Sequence, residues 1–416
     1  MRDTSVAIVG AGPYGLSLAA YLRDLGVEHT IFGSPMSFWL DSVPPGMELK
    51  SEGASSDLFD PRREYPIKSY YEETSRSFAG RVIVPAEAFV EYGRKFQQKF
   101  APEVDARKVT NIARAADKYI LGLQDGSQVR AARVVIATGI RDFAQVPGPL
   151  TAMPEEFVTH SAMHGAVDQL RGQKVIVIGG GASAVDLAWS LHERGSDVSI
   201  VCRRASIKFH DEPSPRTWSS AIRSPDSPIG GGWKLWFYAN APRLFRFLPT
   251  AMRLRIVATT LGPAPGWFMT PRVRPRIPIF SGQEVTGCKA VEGTVHLETK
   301  SAGGKISRFT ADHVVAATGY RVDVNKIPYL DDRLKAKIRL NDGFPVLSGN
   351  FESSEPGLYF VGVTSAGAFG PVMRFVAGAG FTVRRLSAHL ARSRNSRVGR
   401  SETVSVRQMT PTKISP

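Results

Sequence analysis

Cysteine is almost absent: the 416 residues hold only Cys202 and Cys288, far apart and with no CxxC pair. That excludes a dithiol redox centre and a disulfide framework as expectations, and it suits a reducing cytosol. No apolar run reaches the roughly 18 residues that a membrane-crossing helix needs. The first strand pattern starts near Ser5, leaving no room before it for a signal peptide, so a cytoplasmic location is expected. Metal-ligand spacing is lacking too. His160 and His164 stand four apart and could share a helix face, but no acid completes a set and no metal is expected. No nucleophilic triad stands out.

The apolar fraction of 43% is that of a globular protein, and the length suits two joined α/β domains. The formal net charge is +15. Part of it lies in a polar tail containing Arg392, Arg394, Arg397, Arg400, Arg407 and Lys413, where disorder is expected. Another part lies between Arg203 and Arg276, interleaved with Trp218, Trp233, Trp236 and Trp267. Anionic dinucleotides, an anionic substrate or a membrane surface could each use such a stretch, and with no nucleic-acid motif no nucleic-acid partner is expected.

Val6-Ala7-Ile8-Val9 is a buried-strand run that leads directly into Gly10-Ala11-Gly12-Pro13-Tyr14-Gly15 and a helical pattern from Leu16 to Leu25. Gly10 permits the tight turn, Gly12 lets backbone approach a diphosphate, and Gly15 lets helix and strand pack closely. The diphosphate then lies at the positive helix N-terminus, beside Pro13. A second strand, His29-Thr30-Ile31-Phe32, follows in the right place. The carboxylate that usually ends this strand to hold a ribose is missing, because the chain reads Phe32-Gly33-Ser34. Ser34 or backbone groups are expected to replace it.

The pattern recurs roughly 170 residues later. Val175-Ile176-Val177-Ile178 leads into Gly179-Gly180-Gly181-Ala182-Ser183-Ala184, the GxGxxA variant, and a helix to Arg194. The next strand ends in Cys202-Arg203-Arg204. An acid there would favour NADH, whereas Arg203 and Arg204 can receive a 2′-phosphate by charge-assisted bonds, so NADPH is expected. The bland reading is two arginines ending a strand in solvent. Two cradles in one chain imply hydride transfer from a nicotinamide to a second bound carrier.

These segments resemble the two-dinucleotide flavoproteins, and more closely the flavin-dependent monooxygenases grouped with lysine and ornithine N-hydroxylases. Gly10, Gly12, Pro13 and Gly15 match that group's FAD cradle, and Trp39, Lys50 and Asp57 lie in segments resembling its next FAD-contacting region. Both Ala-Thr-Gly elements are present, with Thr138 and Gly139 in the first and Thr318 and Gly319 in the second. Leu358 to Gly362 resembles the last FAD strand. Of the monooxygenase signature between the cradles only His160-Ser161 matches, with Glu156 and His164 at positions where the family has glycine and an aromatic. Gly362-Val363 replaces the Gly-Asp of reductase relatives. Three segments, Phe32–Met36, Gly262–Phe268 and Ala368–Pro371, look like those of bacterial FAD-dependent urate hydroxylases.

The resemblance implies an FAD- and NADPH-dependent monooxygenase that hydroxylates a small molecule, with urate or another purine as the leading guess, through a C4a-hydroperoxyflavin and with oxygen as co-substrate. Alternatives are an N-hydroxylase of an amine or amino acid, an NADPH oxidoreductase without oxygen transfer, and a nucleotide-binding sensor without catalysis. The catalytic candidates are His210 and Arg374. Arg216, Arg272 and Arg274 are substrate candidates, because an arginine could hold anionic urate through two parallel bonds. The expected class is α/β, two Rossmann-like dinucleotide-binding domains with the NADPH domain inserted into the FAD domain. The expected FAD segments are 1–165 and 319–390. The NADPH domain is 166–318, with a Pro/Trp/Arg-rich insertion at about 206–280, and 391–416 is an unstructured tail. A homo-oligomer is left open.

Overall fold

The computed structural model describes residues 1–78, 82–163, 167–212, 222–262 and 264–405, with the backbone alone for Lys50, Glu52 and 393–405. The first sheet runs Val104–Asp105, His29–Phe32, Arg2–Val9, Gln128–Ile136, Lys118–Leu123, Val109–Ala115, and Leu358–Phe360 also pairs with Gln128–Ile136. Around Arg2–Val9 the pairing is parallel. Val6, Ala7 and Ile8 are fully buried there, as expected for a strand covered on both faces. The strand begins at Arg2, ahead of its β-branched run.

The second sheet is wholly parallel, in the order Ile279–Ser281, Asp197–Cys202, Lys174–Ile178, His313–Ala316, Val158–His160. An antiparallel ribbon of Gln283–Val291, Thr294–Ser301 and Ile306–Ala311 lies beside it. The turn between its second and third strands is made at Gly304, whose φ of +83° suits glycine.

Chain from the second sheet thus lies between strands of the first, and the two connecting segments run side by side. Ala144 bridges Tyr320, Gln145 N donates to Gly319 O at 3.0 Å, and Arg321 N donates to Phe143 O at 2.8 Å. The crossing therefore falls near residue 145, not 165, and Val158–His160 belongs to the second sheet. A strand of three residues has too little alternation to announce its sheet.

The insertion expected at about 206–280 carries the helices Trp233–Asn240, Pro242–Phe245, Thr250–Thr259 and Thr270–Val273. Tyr238, Phe245 and Val257 pack into the core of the first domain, whereas Met269, Val273 and Ile277 pack into the second. The insertion thereby bridges both cores.

The last helix, Ala379–Ser405, corrects the expected start of the tail at 391. Val383, Leu386 and Leu390 recur at helical spacing and are fully buried. A helix nucleated by that packing propagates at low cost into polar sequence.

Tyr14 ties the two ends of the first domain together. Its hydroxyl donates to Met373 O at 3.1 Å and Phe375 O at 2.9 Å, across more than 350 residues of sequence. Tyr14→Phe keeps the ring and leaves those carbonyls without this donor. Urea unfolding should show a loss of about 1–3 kcal/mol, and an unchanged midpoint would refute this role.

Candidate functional site

Both phosphate cradles share one steric arrangement. In the first, Gly10 N donates to Phe32 O at 2.9 Å and Ala137 N donates to Val9 O at 2.8 Å. A Cβ on Gly10 would lie 2.5 Å from Ala137 O, and one on Gly15 would lie 1.9 Å from Gly10 O. A Cβ on Gly12 would meet nothing within 4 Å. Gly10 and Gly15 therefore serve the protein's own packing, whereas Gly12 borders open space. The helix Pro13–Asp24 begins there with Gly12 as N-cap, no side-chain cap and no acid in its first turn. Pro13 lacks an N–H that would have been unpaired in any case.

The second cradle repeats this. Gly179 N donates to Val201 O at 2.9 Å, Ala317 N donates to Ile178 O at 2.8 Å, and a Cβ on Gly179 would lie 2.3 Å from Ala317 O. Gly181 is the N-cap of Ala182–Glu193, again with no side-chain cap and no first-turn acid. Ala184 is fully buried at the third position, and Ser183 is half-buried beside it. Uncapped, acid-free helix starts of twelve residues fit dinucleotide diphosphates at both places.

The two Ala-Thr-Gly elements lie directly against these glycines. Thr138 Oγ1 and Tyr329 OH are hydrogen-bonded at 2.7 Å, and Thr318 Oγ1 donates to Gln145 O. Gly139 and Gly319 have φ of +78° and +87°. Thr138 and Thr318 thus brace the cradles through hydrogen bonds of their own. Gly362 sits under the Tyr14 ring and places the last strand against the first cradle.

Other expected FAD contacts divide. Ser34 is exposed just past the second strand. The carboxylate missing there has a neighbour one strand away: Asp105 pairs with Phe32, but Arg107 holds it at 2.6 Å. Trp39 packs edge-on against Phe89, with ring centroids 4.9 Å apart. The side chain of Lys50 lies outside the described residues. Asp57 is engaged within the protein, since Oδ1 accepts Ile67 N and Oδ2 accepts Arg63 Nη2, both at 2.9 Å. It organises the loop between Asp57 and Ile67.

Arg203 is 80% exposed and 4.0 Å from Glu284 Oε1. Arg204 is exposed beside it, its carbonyl accepting from Gly282 N. The chain then lines a cleft of ≈ 830 Å³ with Lys208, Phe209, His210 and Asp211 on one side and Trp267 and Arg274 on the other. His210 and Arg274 therefore share a cleft. Arg272 lies elsewhere, 3.6 Å from Glu48 across the domain interface. There Ser190 Oγ also donates to Pro45 O at 3.1 Å, and a smaller cavity of ≈ 190 Å³ opens between the domains. Arg374 Nη1 donates to Val257 O and Thr260 O at 3.2 and 3.0 Å, tying it to the helical insertion. Arg216 and His164 lie outside the described residues. His160 is buried at the domain crossing, with Nε2 3.2 Å from Gly319 O, and burial holds its pKa below the ordinary imidazole value.

A family model described as pyridine nucleotide-disulphide oxidoreductase matches residues 7–224. The chain belongs to this family. It has the α/β fold of two Rossmann-like units that this family and its structural neighbours share. A ferredoxin–NADP reductase from Ignicoccus hospitalis is 33% identical over 213 residues, covering 50% of this chain and 58% of the relative. One from Salinispora tropica is 25% identical, covering 54% and 62%. The matched part thus spans less than two-thirds of these relatives. In fold, the chain superposes with a TM-score of 0.77 on an ornithine N-hydroxylase from Kutzneria sp. 744 with reduced FAD, NADP⁺ and L-ornithine, at 17% identity over 94% of this chain and 100% of that one. A bacillithiol disulfide reductase from Staphylococcus aureus gives 0.62 at 18% identity, over 94% of this chain and 99% of that one. Among the described residues no helix is long and apolar enough to cross a membrane.

The steric contrast within the first cradle is testable. Gly12→Ala should leave apoprotein unfolding nearly unchanged while weakening FAD at least about tenfold, since the methyl group enters ligand space. Gly10→Ala should destabilise the apoprotein itself, because the new atom meets backbone. Calorimetry with and without FAD separates the two, and equal behaviour would refute the distinction.

Proposed function

We propose that this chain is an FAD- and NADPH-dependent monooxygenase acting on a small molecule. The observation that carries the reading is the missing dithiol within a family named for disulphide chemistry. Cys202 is buried in the second sheet, Cys288 sits in the antiparallel ribbon, and both are free. Electrons delivered to a flavin here have no internal thiol pair to reach, so the acceptor comes from outside. The near full-length likeness to ornithine N-hydroxylases supports oxygen as that acceptor.

Bound FAD would supply two-electron redox chemistry and the activation of oxygen. The chain's part is binding, orientation and exclusion of water. The amides that open Pro13–Asp24 and Ala182–Glu193 would take the two diphosphates, with Gly12 and Gly181 at the closest approach. Arg203 and Arg204 would take the 2′-phosphate. The Ser190–Pro45 and Arg272–Glu48 contacts hold the two domains together beside the smaller cavity. His210 and Arg274 would contact an anionic substrate or cofactor group in the larger cleft, where Asp211 and Glu212 also offer acceptors to an amine. Urate finds no support in the reported relatives and stays one substrate to test beside L-ornithine.

A second reading, an NADPH reductase passing electrons to a protein, is favoured by the ferredoxin–NADP reductase relatives. NADPH oxidation by the FAD-loaded protein, followed with oxygen uptake and peroxide, decides between them. Substrate-stimulated oxygen uptake with little peroxide is expected. Efficient reduction of ferredoxin with no such stimulation would establish the reductase instead.

Cofactor preference gives a separate test. Arg203→Ala combined with Arg204→Ala should lower the NADPH-over-NADH ratio of kcat/KM by about 10²-fold, with NADH turnover retained. An unchanged ratio would return both arginines to solvent.

A further inference from the structure

The stretch from Ser227 to Gln283 contains no aspartate or glutamate and eight cations, Lys234, Arg243, Arg246, Arg253, Arg255, Arg272, Arg274 and Arg276. It contains the insertion helices, of which Trp233–Asn240, Pro242–Phe245 and Thr250–Thr259 come first. These helices also carry an apolar surface. Phe247 is 81% exposed, Trp233 59% and Leu244 56%, with Trp236 and Met252 exposed as well. Trp233 and Trp236 lie together, ring centroids 5.8 Å apart. Elsewhere the exposed large apolar side chains stand mostly singly, whereas here five fall within twenty residues.

The cations beside this surface are crowded. Arg246 Nη1 and Arg385 Nη2 both face Gly349, where a Cβ would lie 2.8 and 3.2 Å from them. Arg253 and Arg385 act on Arg246 as like charges, and Arg243 acts on Arg385 in the same way. Nε of Arg246 and Nε of Arg253 are buried without a hydrogen-bond partner. Among the described residues none of Arg243, Arg246, Arg253, Arg255 or Arg385 forms an ion pair. Like charges gathered without carboxylates repel, and anions supplied from outside would relieve that repulsion.

We propose that this helical insertion docks the enzyme on the surface of an anionic lipid bilayer. Trp233, Trp236, Leu244, Phe247 and Met252 enter the boundary between headgroups and acyl chains, and the surrounding arginines and Lys234 meet lipid phosphates. Aromatic and aliphatic side chains ringed by cations are what an interfacial helix requires. A second copy of the chain fits poorly, because a two-fold contact would set one acid-free face against another. Nucleic acid would answer the charge but leave Phe247 and Leu244 in water.

The test uses the full-length, FAD-loaded protein with phosphatidylcholine vesicles, with and without phosphatidylglycerol. Co-sedimentation with the anionic vesicles, weakened by salt and nearly absent with neutral ones, is the expected result. Trp236→Ser with Phe247→Ser removes apolar anchors, and Arg243→Glu with Arg255→Glu reverses exposed charges. Each pair should reduce partitioning at least about tenfold, while NADPH oxidation in solution stays unchanged. No sedimentation with anionic vesicles, equal sedimentation with neutral ones, or full binding by both double variants would overturn the proposal. So would a change in solution mass in the variants with vesicle binding intact, which would mark a self-association face.

Discussion

Everything in this molecule depends on two places where backbone approaches backbone with no side chain between. Gly10 passes against Ala137 O, and Gly179 passes against Ala317 O, at distances where a Cβ would collide. That approach lets a strand leave the sheet beside its parallel neighbour and turn at once into a helix, whose first amides then point across the sheet's carboxyl edge. An aligned strand ladder, an uncapped helix start and an open approach at Gly12 follow from the same local geometry. It also explains why each cradle is followed, far along the chain, by an Ala-Thr-Gly element. The alanine carbonyl is the wall against which the glycine fits, and the glycine after the threonine takes the positive φ that turns the chain.

The architecture then has to hold two such units at a fixed relation. The paired crossing segments do part of this, through Gln145 with Gly319 and Arg321 with Phe143. The helical insertion does the rest, because its apolar residues are divided between both cores. Arg374 fixes that insertion from the first domain by reaching two carbonyls near the end of Thr250–Thr259. A residue more than 100 positions from the insertion in sequence can thus act on domain geometry.

How far the sequence reveals this depends on the range of the interaction. The cradles are legible because strand, glycines and helix lie within about 20 residues and each has a local signature. Val158–His160 is illegible as a member of the second sheet, since three residues carry no periodicity and their partner is more than 150 residues away. Asp57 shows a structural part the sequence does not announce: its bonds to Ile67 and Arg63 are local, yet they appear only once the loop has folded. Tyr14 is read as one variable position of a glycine motif, and its bonds to the far end of the chain emerge only when the sheet has closed. The polar tail is judged by composition, whereas its first part inherits helix from buried Val383, Leu386 and Leu390.

Charge is where local and global readings diverge most. The whole chain carries +15, and the acid-free stretch alone contributes +8 of it. The arginines are not interchangeable within that total. Arg203 and Arg204 stand at the end of a strand next to a phosphate cradle, a position that makes sense for a bound anion of fixed geometry. Arg272 is opposed by Glu48 across the interface and is therefore bound up in holding domains together. Arg243, Arg246, Arg253 and Arg385 have no carboxylate among the described residues and crowd one another, so they raise the energy of the folded chain in isolation. A fold keeps such a cluster at a cost, and an anionic surface that meets it from outside lowers that cost without changing a single contact inside the protein.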